Sequence, residues 1–344
     1  MPSAVTYWTG LWQPGREALS NEVQVLRDLQ GGNAPVVSFS SGQRSTVSFV
    51  ERVIRLSTAR WALLRAVAAA VEPHGAVTHV FGALDEWHLL RAVGRRPVVF
   101  TVALPGRAID PVMARKVAAF AAETESLADA LVRGGVPASR VSVIYPGVDL
   151  SLFSPEPPPS SDRFRILFAS SPVDAAEFPQ RGIPFLVELA RARPDVDIVL
   201  LWRSWGDRRA ATSAFAALSP PPNVIIESRA GRSMPDVYRS AHATICCYED
   251  GFGKSCPNSI VESAACGRPV IVNTASGVAS LIQRSGGGVV VPRTLDAAAE
   301  AIDRLRDDYA SYAARARALA VNTFDVDTFR SRYCEVYARL AGAA

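Results

Sequence analysis

Short apolar runs alternate with segments of helical periodicity along nearly the whole chain. A short continuous apolar run is typical of a buried strand, whereas apolar residues spaced three or four apart predict a helix. In the first half the predicted strands are residues 4–7, 36–39, 77–81 and 98–102. The predicted helices between them are residues 17–29, 49–71 and 86–93.

The same alternation continues in the second half. Its predicted strands are residues 165–169, 197–202, 223–227, 243–247, 269–273 and 288–291. Its predicted helices are residues 183–193, 234–240, 259–266, 295–318 and 324–340. Strands that alternate with helices predict parallel sheets joined by right-handed crossovers. The expected fold class is therefore α/β, with Rossmann-like, doubly wound domains.

A proline-rich stretch separates the two halves. Residues 154–162 read SPEPPPSSD, which cannot form a helix or a central strand. A chain of 344 residues is also long enough for two cores. We therefore predict a first domain over residues 1–155 and a second over 163–323. Ligands of doubly wound sheets bind at the carboxyl ends of the strands, so we expect the two domains to face each other across a ligand-binding cleft.

Composition and charge exclude several classes of protein. The chain is 49% hydrophobic and 20% charged, which is too apolar for a disordered protein. No apolar run approaches the roughly 20 residues that a membrane span needs. The net charge is +4, but the 37 basic residues are spread along the chain, which argues against nucleic-acid binding.

Five cysteines without metal-ligand spacing predict buried thiols in a reducing compartment. The chain also shows no charged and apolar leader at its start. We therefore expect a cytoplasmic protein.

The segment 248–271 is the most informative about chemistry. It reads YEDGFGKSCPNSIVESAACGRPVI and predicts a strand end, a glycine-rich loop, a helix, a tight turn and the next strand. Backbone N–H groups of the loop and of the helix N-terminus can bind a phosphate, helped by the helix dipole. Glu262 is an acid in an otherwise mostly apolar helix. Its carboxylate can accept hydrogen bonds from a pair of sugar hydroxyls.

Three segments together resemble the retaining GT-B glycosyltransferases of family 4, the glycosyl transferases group 1. Residues 262–271 fit the family's Glu, Ala, small residue, Gly and Pro-Val sequence before a strand. The sequence IYPGVD at 144–149, with Phe153 and Pro155 after it, resembles the end of the family's first domain. Arg181-Gly182, after the strand predicted at 165–169, resembles the basic-Gly pair of its donor phosphate site. The resemblance implies a GT-B fold, in which residues 324–344 pack back on the first domain.

The resemblance also implies where the donor binds. The expected donor-binding residues are Gly15, Arg16, Arg181, Arg203, Ser255, Asn258 and Gly277. Gly15 either lets the backbone approach the donor phosphates or forms only a surface turn after Pro14. Arg203 follows the strand predicted at 197–202, where it either shares the diphosphate with Arg181 or is a solvated charge.

The expected catalytic residues are Glu262, Lys254 and His79. Lys254 stands eight residues before Glu262, where the family has its first acid. This alignment of Lys254 has no gap. A second alignment places Asp250 at the position of the acid and adds four residues before the helix. We prefer the gapless alignment, because SCPN at 255–258 resembles a loop of one branch of the family. An ammonium only donates hydrogen bonds, whereas a carboxylate only accepts them. Lys254 therefore pairs with an acidic donor sugar, binds the diphosphate, or marks a site that has lost catalysis.

A second departure concerns histidine. Many members of the family carry a histidine after the strand that we predict at 98–102, where this chain has Ala103. Among the four histidines, His79 is the one we expect at a strand end facing the cleft, as a site residue or as a structural histidine satisfied by backbone groups. His242 falls in a helix-to-strand turn and is expected to be structural.

The resemblance implies a glycosyltransferase that moves a sugar from a nucleotide-diphosphate sugar to an acceptor hydroxyl with retention of configuration. Arg181 and the helix N-terminus after Cys256 are expected to stabilise the departing diphosphate, so no metal or other cofactor is expected. The acceptor stays open between a glycan, a lipid-linked molecule and a small metabolite, with no nucleic acid. Residues 50–71 either pack with their arginines on the solvated face, which we prefer, or make at most peripheral membrane contact. The alternative is a catalytically inactive GT-B-like protein that binds a nucleotide or a glycan.

Overall fold

A parallel β-sheet forms the centre of each of the two units into which the chain divides. Unit 1 comprises Met1–Gly147 and Val326–Ala344, and unit 2 comprises Val148–Asp325. The computed structural model describes residues 4–160, 162–170, 172, 174–202, 208–228 and 231–342. No helix among these residues has both the length and the apolar character that a membrane span requires.

Unit 1 is built on an eight-stranded sheet. Its strands are β1 (Val5–Thr9), β2 (Val36–Ser40), β3 (Thr46–Ser48), β4 (Val53–Ser57), β5 (Val77–Ala83), β6 (Val98–Leu104), β7 (Val117–Ala122) and β8 (Val141–Val143). Its helices before unit 2 are α1 (Ala18–Asp28), α2 (Leu64–Val71), α3 (His88–Ala92), α4 (Pro111–Lys116) and α5 (Glu125–Arg133). The strand order is β3-β4-β2-β1-β5-β6-β7-β8, and only the β3–β4 pair is antiparallel.

Unit 2 is built on a six-stranded sheet in which every neighbouring pair is parallel. Its strands are β9 (Phe164–Phe168), β10 (Val196–Trp202), β11 (Val224–Ser228), β12 (Ala243–Cys246), β13 (Val270–Asn273) and β14 (Gly288–Val291). Its helices are α6 (Phe178–Arg181), α7 (Ile183–Ala192), α8 (Arg208–Ala217), α9 (Met234–Arg239), α10 (Asn258–Ala265), α11 (Ala279–Ser285), α12 (Leu295–Asp307) and α13 (Tyr309–Leu319). The strand order is β11-β10-β9-β12-β13-β14.

The last helix, α14 (Val326–Gly342), belongs to unit 1. Its buried side chains are Phe329, Tyr333, Val336 and Tyr337, which follow helical spacing and pack in one of the two apolar clusters of unit 1. Neighbouring residues of β1 fall in different clusters, because successive side chains of a strand point to opposite faces. Both faces of this sheet are therefore covered.

The proline-rich stretch packs on unit 2 and does not mark the division between the units. Arg239 donates to the carbonyl oxygen of Ser154 at 3.0 Å, and Arg268 donates to those of Glu156 and Pro157, each at 2.9 Å. These hydrogen bonds satisfy carbonyl oxygens of a segment whose prolines lack the N–H groups that a helix or a central strand needs. The chain instead passes into unit 2 between Gly147 and Val148, earlier than the boundary that we placed at residue 155.

The prediction of one helix over residues 49–71 is wrong. The segment contains β4, a 3₁₀ segment at Thr58–Leu63 and α2. Arg52 has a φ of 53°, a left-handed conformation that a right-handed helix excludes, and Val53 pairs with Val36 of β2. The helix predicted over 295–318 is likewise two helices, because the chain breaks from helical geometry at Asp308.

Candidate functional site

The sheet of unit 2 has a topological switch point between β9 and β12. The chain proceeds from β9 to β10 and β11 on one side, then returns to β12 on the other side of β9. At such a point a crevice opens outside the carboxyl ends of the two neighbouring strands, and ligands of doubly wound domains bind there. Ser170 follows β9 closely, and Tyr248 follows β12.

Arg181 contacts the segment after β9 and the loop after β12, the two strands at this switch point. One guanidinium nitrogen donates to the Ser170 hydroxyl at 2.9 Å, and the Nε atom donates to the Glu177 carboxylate at 2.7 Å. The guanidinium carbon lies 5.3 Å from the centroid of the Phe252 ring, in the loop after β12. Ser170 also hydrogen-bonds the hydroxyl of Tyr248, and burial raises the pKa of that hydroxyl well above its ordinary value. Contacts from three segments therefore hold Arg181 at this edge of the sheet.

Gly182 shows why the Arg181-Gly182 pair needs a glycine. Its φ is 80°, and it is both the C-cap of α6 and the N-cap of α7. A Cβ atom there would lie 2.7 Å from the carbonyl oxygen of Cys247, just after β12. Conformation and space both exclude a side chain, so the start of α7 packs directly against the end of β12.

Lys254 lies before α10 and is held against the first turn of that helix. Its ammonium donates to the carbonyl oxygen of Cys256 at 3.1 Å and to Oδ1 of Asn258 at 3.0 Å. The ammonium therefore adds positive charge at a helix N-terminus, where the macrodipole is already positive. The structure thus brings together Lys254 and Asn258, two of the predicted site residues.

Ser255 and Gly277 lie in direct contact. A Cβ atom on Gly277 would collide with the Ser255 side-chain oxygen and would lie 2.7 Å from its carbonyl oxygen. Glycine therefore allows the loop after β13 to approach the loop before α10. This contact places the carboxyl end of β13 beside the same helix N-terminus.

Glu262 lies one helical turn after Asn258, on the partly exposed face of α10. Its carboxylate accepts a hydrogen bond from the hydroxyl of Tyr238 in α9. Burial, followed by the charge of Glu262, raises the pKa of that hydroxyl well above its ordinary value. Tyr238 therefore stays protonated and orients the Glu262 carboxylate.

Two helix N-termini meet this edge of the sheet without a side-chain cap. The N-cap residues of α7 and α10 are Gly182 and Pro257, and neither offers a side-chain acceptor to the first turn. N–H groups at an uncapped helix start can bind an anion. Arg181, which is paired with Glu177, and Lys254 add cationic side chains at the same edge.

Sequence reasoning missed two residues at this edge. Arg293 follows β14, donates to the carbonyl oxygen of Pro179 at 3.0 Å and lies 3.7 Å from the Glu249 carboxylate. Tyr248 follows β12, and its carbonyl oxygen accepts a hydrogen bond from the side-chain amide of Asn273 at 2.6 Å. Arg203 was predicted because it follows the end of a strand, and Arg293 could have been found in the same way.

Gly15 and Arg16 lie in unit 1, in an exposed turn between β1 and α1. Gly15 has a φ of 79°, and a Cβ atom there would have no neighbour within 4 Å. Its N–H donates to Oδ1 of Asn21 at 2.6 Å. The positive φ by itself accounts for a glycine in this turn, and a role of Gly15 at the donor phosphates stays a prediction. Arg203, the remaining arginine candidate, lies outside the described residues.

The expected position of His79 is wrong. It is the third residue of β5 and is fully buried. Its ring nitrogens lie 2.6 Å from the Tyr337 hydroxyl and 2.7 Å from the Thr101 hydroxyl. Burial lowers its pKa well below the ordinary value, so the ring is neutral. His79 is a structural residue that joins β5 to α14, and side-chain hydroxyls, rather than backbone groups, satisfy it.

His242, Cys256 and Cys266 are structural, as the sequence predicts. His242 accepts a hydrogen bond from the backbone N–H of Arg165 at 3.0 Å and stacks on Phe164. Cys256 and Cys266 are buried, and burial raises the pKa of the Cys266 thiol to about 11. Within the described part of the chain, no group of three His, Cys, Asp or Glu side chains is placed to hold a metal ion.

A protein-family model matches the part of the chain that contains this site. Residues 165–308 match the family model described as Glycosyl transferases group 1. The resemblance predicted from the sequence is confirmed. The match to glycosyl transferases group 1 lies within unit 2 and includes the switch point, α7 and α10. No curated protein matches this sequence.

Solved structures with the same architecture include several glycosyltransferases. Anabaena HepE in complex with UDP has a TM-score of 0.74 at 17% identity, over 98% of this chain and 100% of that one. Sucrose-phosphate synthase from Thermosynechococcus elongatus has a TM-score of 0.74 at 16% identity, over 99% and 100%. A glycosyltransferase from Rickettsia africae has a TM-score of 0.73 at 15% identity, over 99% of each chain. These similarities confirm the α/β GT-B fold class.

Proposed function

We propose that this protein transfers a sugar from a nucleotide-diphosphate sugar to an acceptor hydroxyl with retention of anomeric configuration. The donor binds at the carboxyl edge of the unit 2 sheet. The observation that supports this proposal is that Arg181, beside β9, and Lys254, before α10, each lie next to a strand end of the same switch point, where α7 and α10 begin without a side-chain cap. HepE, whose fold is similar, was solved with UDP and with UDP-glucose, which makes a uridine donor the first to test.

A diphosphate fits the charge of this edge. The diphosphate gains negative charge as its bond to the sugar breaks. Preorganised hydrogen-bond donors stabilise that charge. Arg181 supplies a planar fork of donors, and the first turns of α7 and α10 supply backbone N–H groups. Lys254 adds an ammonium at the start of α10. We therefore assign Lys254 to the diphosphate.

Glu262 is proposed to bind the donor through sugar hydroxyls. A carboxylate accepts hydrogen bonds from two neighbouring hydroxyls, and Tyr238 fixes its orientation. Ser255, Asn258 and Gly277 shape the wall of the same site, since Gly277 packs on Ser255 and Asn258 holds Lys254.

Retention is proposed to follow from transfer on one face of the donor. The acceptor hydroxyl approaches on the side from which the diphosphate leaves, and a phosphate oxygen takes its proton. Arg181, Lys254 and the N–H groups of the helix starts hold the leaving group in place during this exchange. No metal ion is required in this scheme, because side chains and helix termini supply the positive charge.

A thermal-shift panel tests the donor site. The wild-type protein is heated with UDP, GDP, ADP, TDP and their common sugar conjugates, beside Glu262→Ala and the surface control Glu300→Ala. We expect one nucleotide to stabilise the wild type and the control but not Glu262→Ala. Stabilisation of all three proteins to the same extent would contradict the assignment of Glu262, and no stabilisation by any nucleotide would contradict the donor site.

A second candidate function, binding without turnover, is favoured by Lys254, which places a cation where the family has an acid. Donor hydrolysis and transfer to a mixture of sugar and lipid acceptors separate the two. Release of UDP from UDP-sugar that is lost in Arg181→Ala supports the transferase. Tight nucleotide binding without hydrolysis or transfer supports the binding protein. A marked preference for donors with a carboxylated sugar would instead assign Lys254 to the sugar.

A further inference from the structure

Arg181 is the last residue of a helix that is too short to be stable by itself. The helix, α6, is one turn long, and Gly182 ends it in the left-handed conformation. A single turn fixes several backbone dihedrals for one hydrogen bond, so an isolated helix of this length does not form. The carbonyl groups of a last helical turn also lack partners within the helix. The orientation of Arg181 therefore depends on groups from outside α6.

Two such groups bond the carbonyls directly before Arg181. Arg293, which follows β14, donates to the carbonyl oxygen of Pro179 at 3.0 Å. The backbone N–H of Glu249, in the loop after β12, donates to the carbonyl oxygen of Gln180 at 2.8 Å. A basic side chain that bonds the last carbonyls of a helix stabilises the end of that helix. Arg293 is therefore a C-terminal cap for α6.

Arg293 also contacts the loop that Arg181 faces. Its guanidinium lies 3.7 Å from the Glu249 carboxylate. Within that loop the backbone N–H of Phe252 donates to the carbonyl oxygen of Glu249 at 3.1 Å, and the Phe252 ring lies against the Arg181 guanidinium. Arg293 thus contacts both of the segments whose side chains, Arg181 and Phe252, meet at the switch point.

We propose that Arg293 is a positioning residue of the donor site, which caps α6, holds the loop after β12, and so orients the Arg181 guanidinium for a nucleoside diphosphate. This inference rests on the donor site proposed above. Arg293 acts through Arg181 and needs no contact with the ligand. Two of its guanidinium nitrogens already face protein acceptors, on Pro179 and Glu249, which favours this role over direct binding of the diphosphate.

A double-mutant cycle tests the proposal with the full chain. Calorimetric titration with UDP is carried out on the wild type, Arg293→Ala, Arg181→Ala and the double variant, and GDP, ADP or TDP replaces UDP if the thermal-shift panel selects it. Arg293→Ala is expected to weaken binding about three- to tenfold when Arg181 is present. In the Arg181→Ala background we expect a change of less than about twofold, because the group that Arg293 positions is already absent.

Two further variants separate positioning from general stability. Arg293→Lys keeps a cation that can bond the Pro179 carbonyl but lacks the planar fork of donors, so we expect a smaller loss than in Arg293→Ala. The matched control, Arg191→Ala, removes an arginine that donates to the carbonyl oxygens of Leu218 and Ser219 at the opposite end of α7. This control is expected to bind UDP like the wild type. Circular dichroism checks that every variant is folded.

The same loss from Arg293→Ala with and without Arg181 would overturn the proposal, because Arg293 would then act independently of Arg181. A loss in Arg191→Ala as large as that in Arg293→Ala would overturn it as well, since both would reflect stability alone. In either case the wild type still binds the nucleotide, and the donor site stands. No binding of UDP, GDP, ADP or TDP to the wild type would contradict the donor site itself, and this inference with it.

Discussion

The Arg181 guanidinium carbon lies 5.3 Å from the centroid of the Phe252 ring. The two residues are far apart in the sequence, one before α7 and the other in the loop after β12. Their contact is formed because β9 and β12 are neighbours in the sheet although two strands separate them along the chain. The position of Arg181 therefore depends on strand order, and the donor site proposed here depends on the position of Arg181.

Replacement of Arg181 by alanine is expected to weaken nucleoside diphosphate binding about 10- to 100-fold, since a charged group that bonds an anion contributes about 1.5 to 3 kcal/mol. Calorimetric titration with UDP, or with the nucleotide that the thermal-shift panel selects, measures the change. Arg306→Ala is a matched control, because Arg306 likewise bonds a carboxylate, that of Asp195, and lies 5.6 Å from a phenylalanine ring, that of Phe164. Equal losses in both variants would contradict a role of Arg181 in donor binding.

Glu262→Gln and Tyr238→Phe separate contact from positioning. Glu262→Gln removes the charge and is expected to weaken donor binding about tenfold. Tyr238→Phe leaves the carboxylate but removes its orienting hydroxyl, so we expect a smaller rise in the donor KM with kcat nearly unchanged. Steady-state kinetics with varied donor concentration measure both. A larger effect of Tyr238→Phe than of Glu262→Gln would contradict this assignment.

Gly277→Ala is expected to lower the free energy of unfolding by about 1 to 3 kcal/mol, because the new methyl group overlaps Ser255. Nucleotide binding is expected to weaken as well, since the loop before α10 must move. Urea denaturation and calorimetry measure the two effects. Gly10→Ala is the control: a Cβ atom there meets nothing within 4 Å, so its stability should change by less than about 0.5 kcal/mol. Equal stability of the two variants would show that the loops can separate without cost.

His79 makes stability depend on pH. Its folded-state pKa lies well below the ordinary 6.5, so only the unfolded chain takes up a proton as the pH falls through 6.5. The contribution of His79 is present above pH 6.5 and is lost progressively as the pH falls below it. Urea denaturation from pH 7.5 to 5.5 should show a smaller loss in His79→Gln than in the wild type. The exposed His74→Gln should behave like the wild type; an unchanged loss in His79→Gln would contradict the buried neutral ring.

Removal of divalent metal ions is expected to leave transfer unchanged. In the proposed scheme Arg181, Lys254 and the starts of α7 and α10 carry the charge that a metal ion would otherwise supply. Initial rates measured with EDTA, and again after Mg²⁺ or Mn²⁺ is restored, test this. A rate that falls with EDTA and recovers with one of the metals would contradict the scheme.

Local sequence determined the elements that form the candidate site. The apolar runs before Ser170 and Tyr248 predicted β9 and β12, because buried strands of a parallel sheet are continuously apolar. The segment 248–271 predicted a loop, a helix and a strand in the order that the structure shows, and α10 begins within one residue of its predicted start. The prediction of one helix over residues 49–71 was wrong, because helical spacing of apolar residues also fits a short strand followed by a separate helix.

The sequence by itself determined the alternation of strands and helices, the α/β class and the family resemblance, since each depends on neighbours along the chain. Tertiary structure alone decided the fate of individual side chains. His79 is neutral because α14 covers β5, and Gly277 must be glycine because two distant loops meet at Ser255. Strand order also placed Arg181 beside Phe252. Such contacts depend on burial and on the packing of remote segments, which no local pattern specifies.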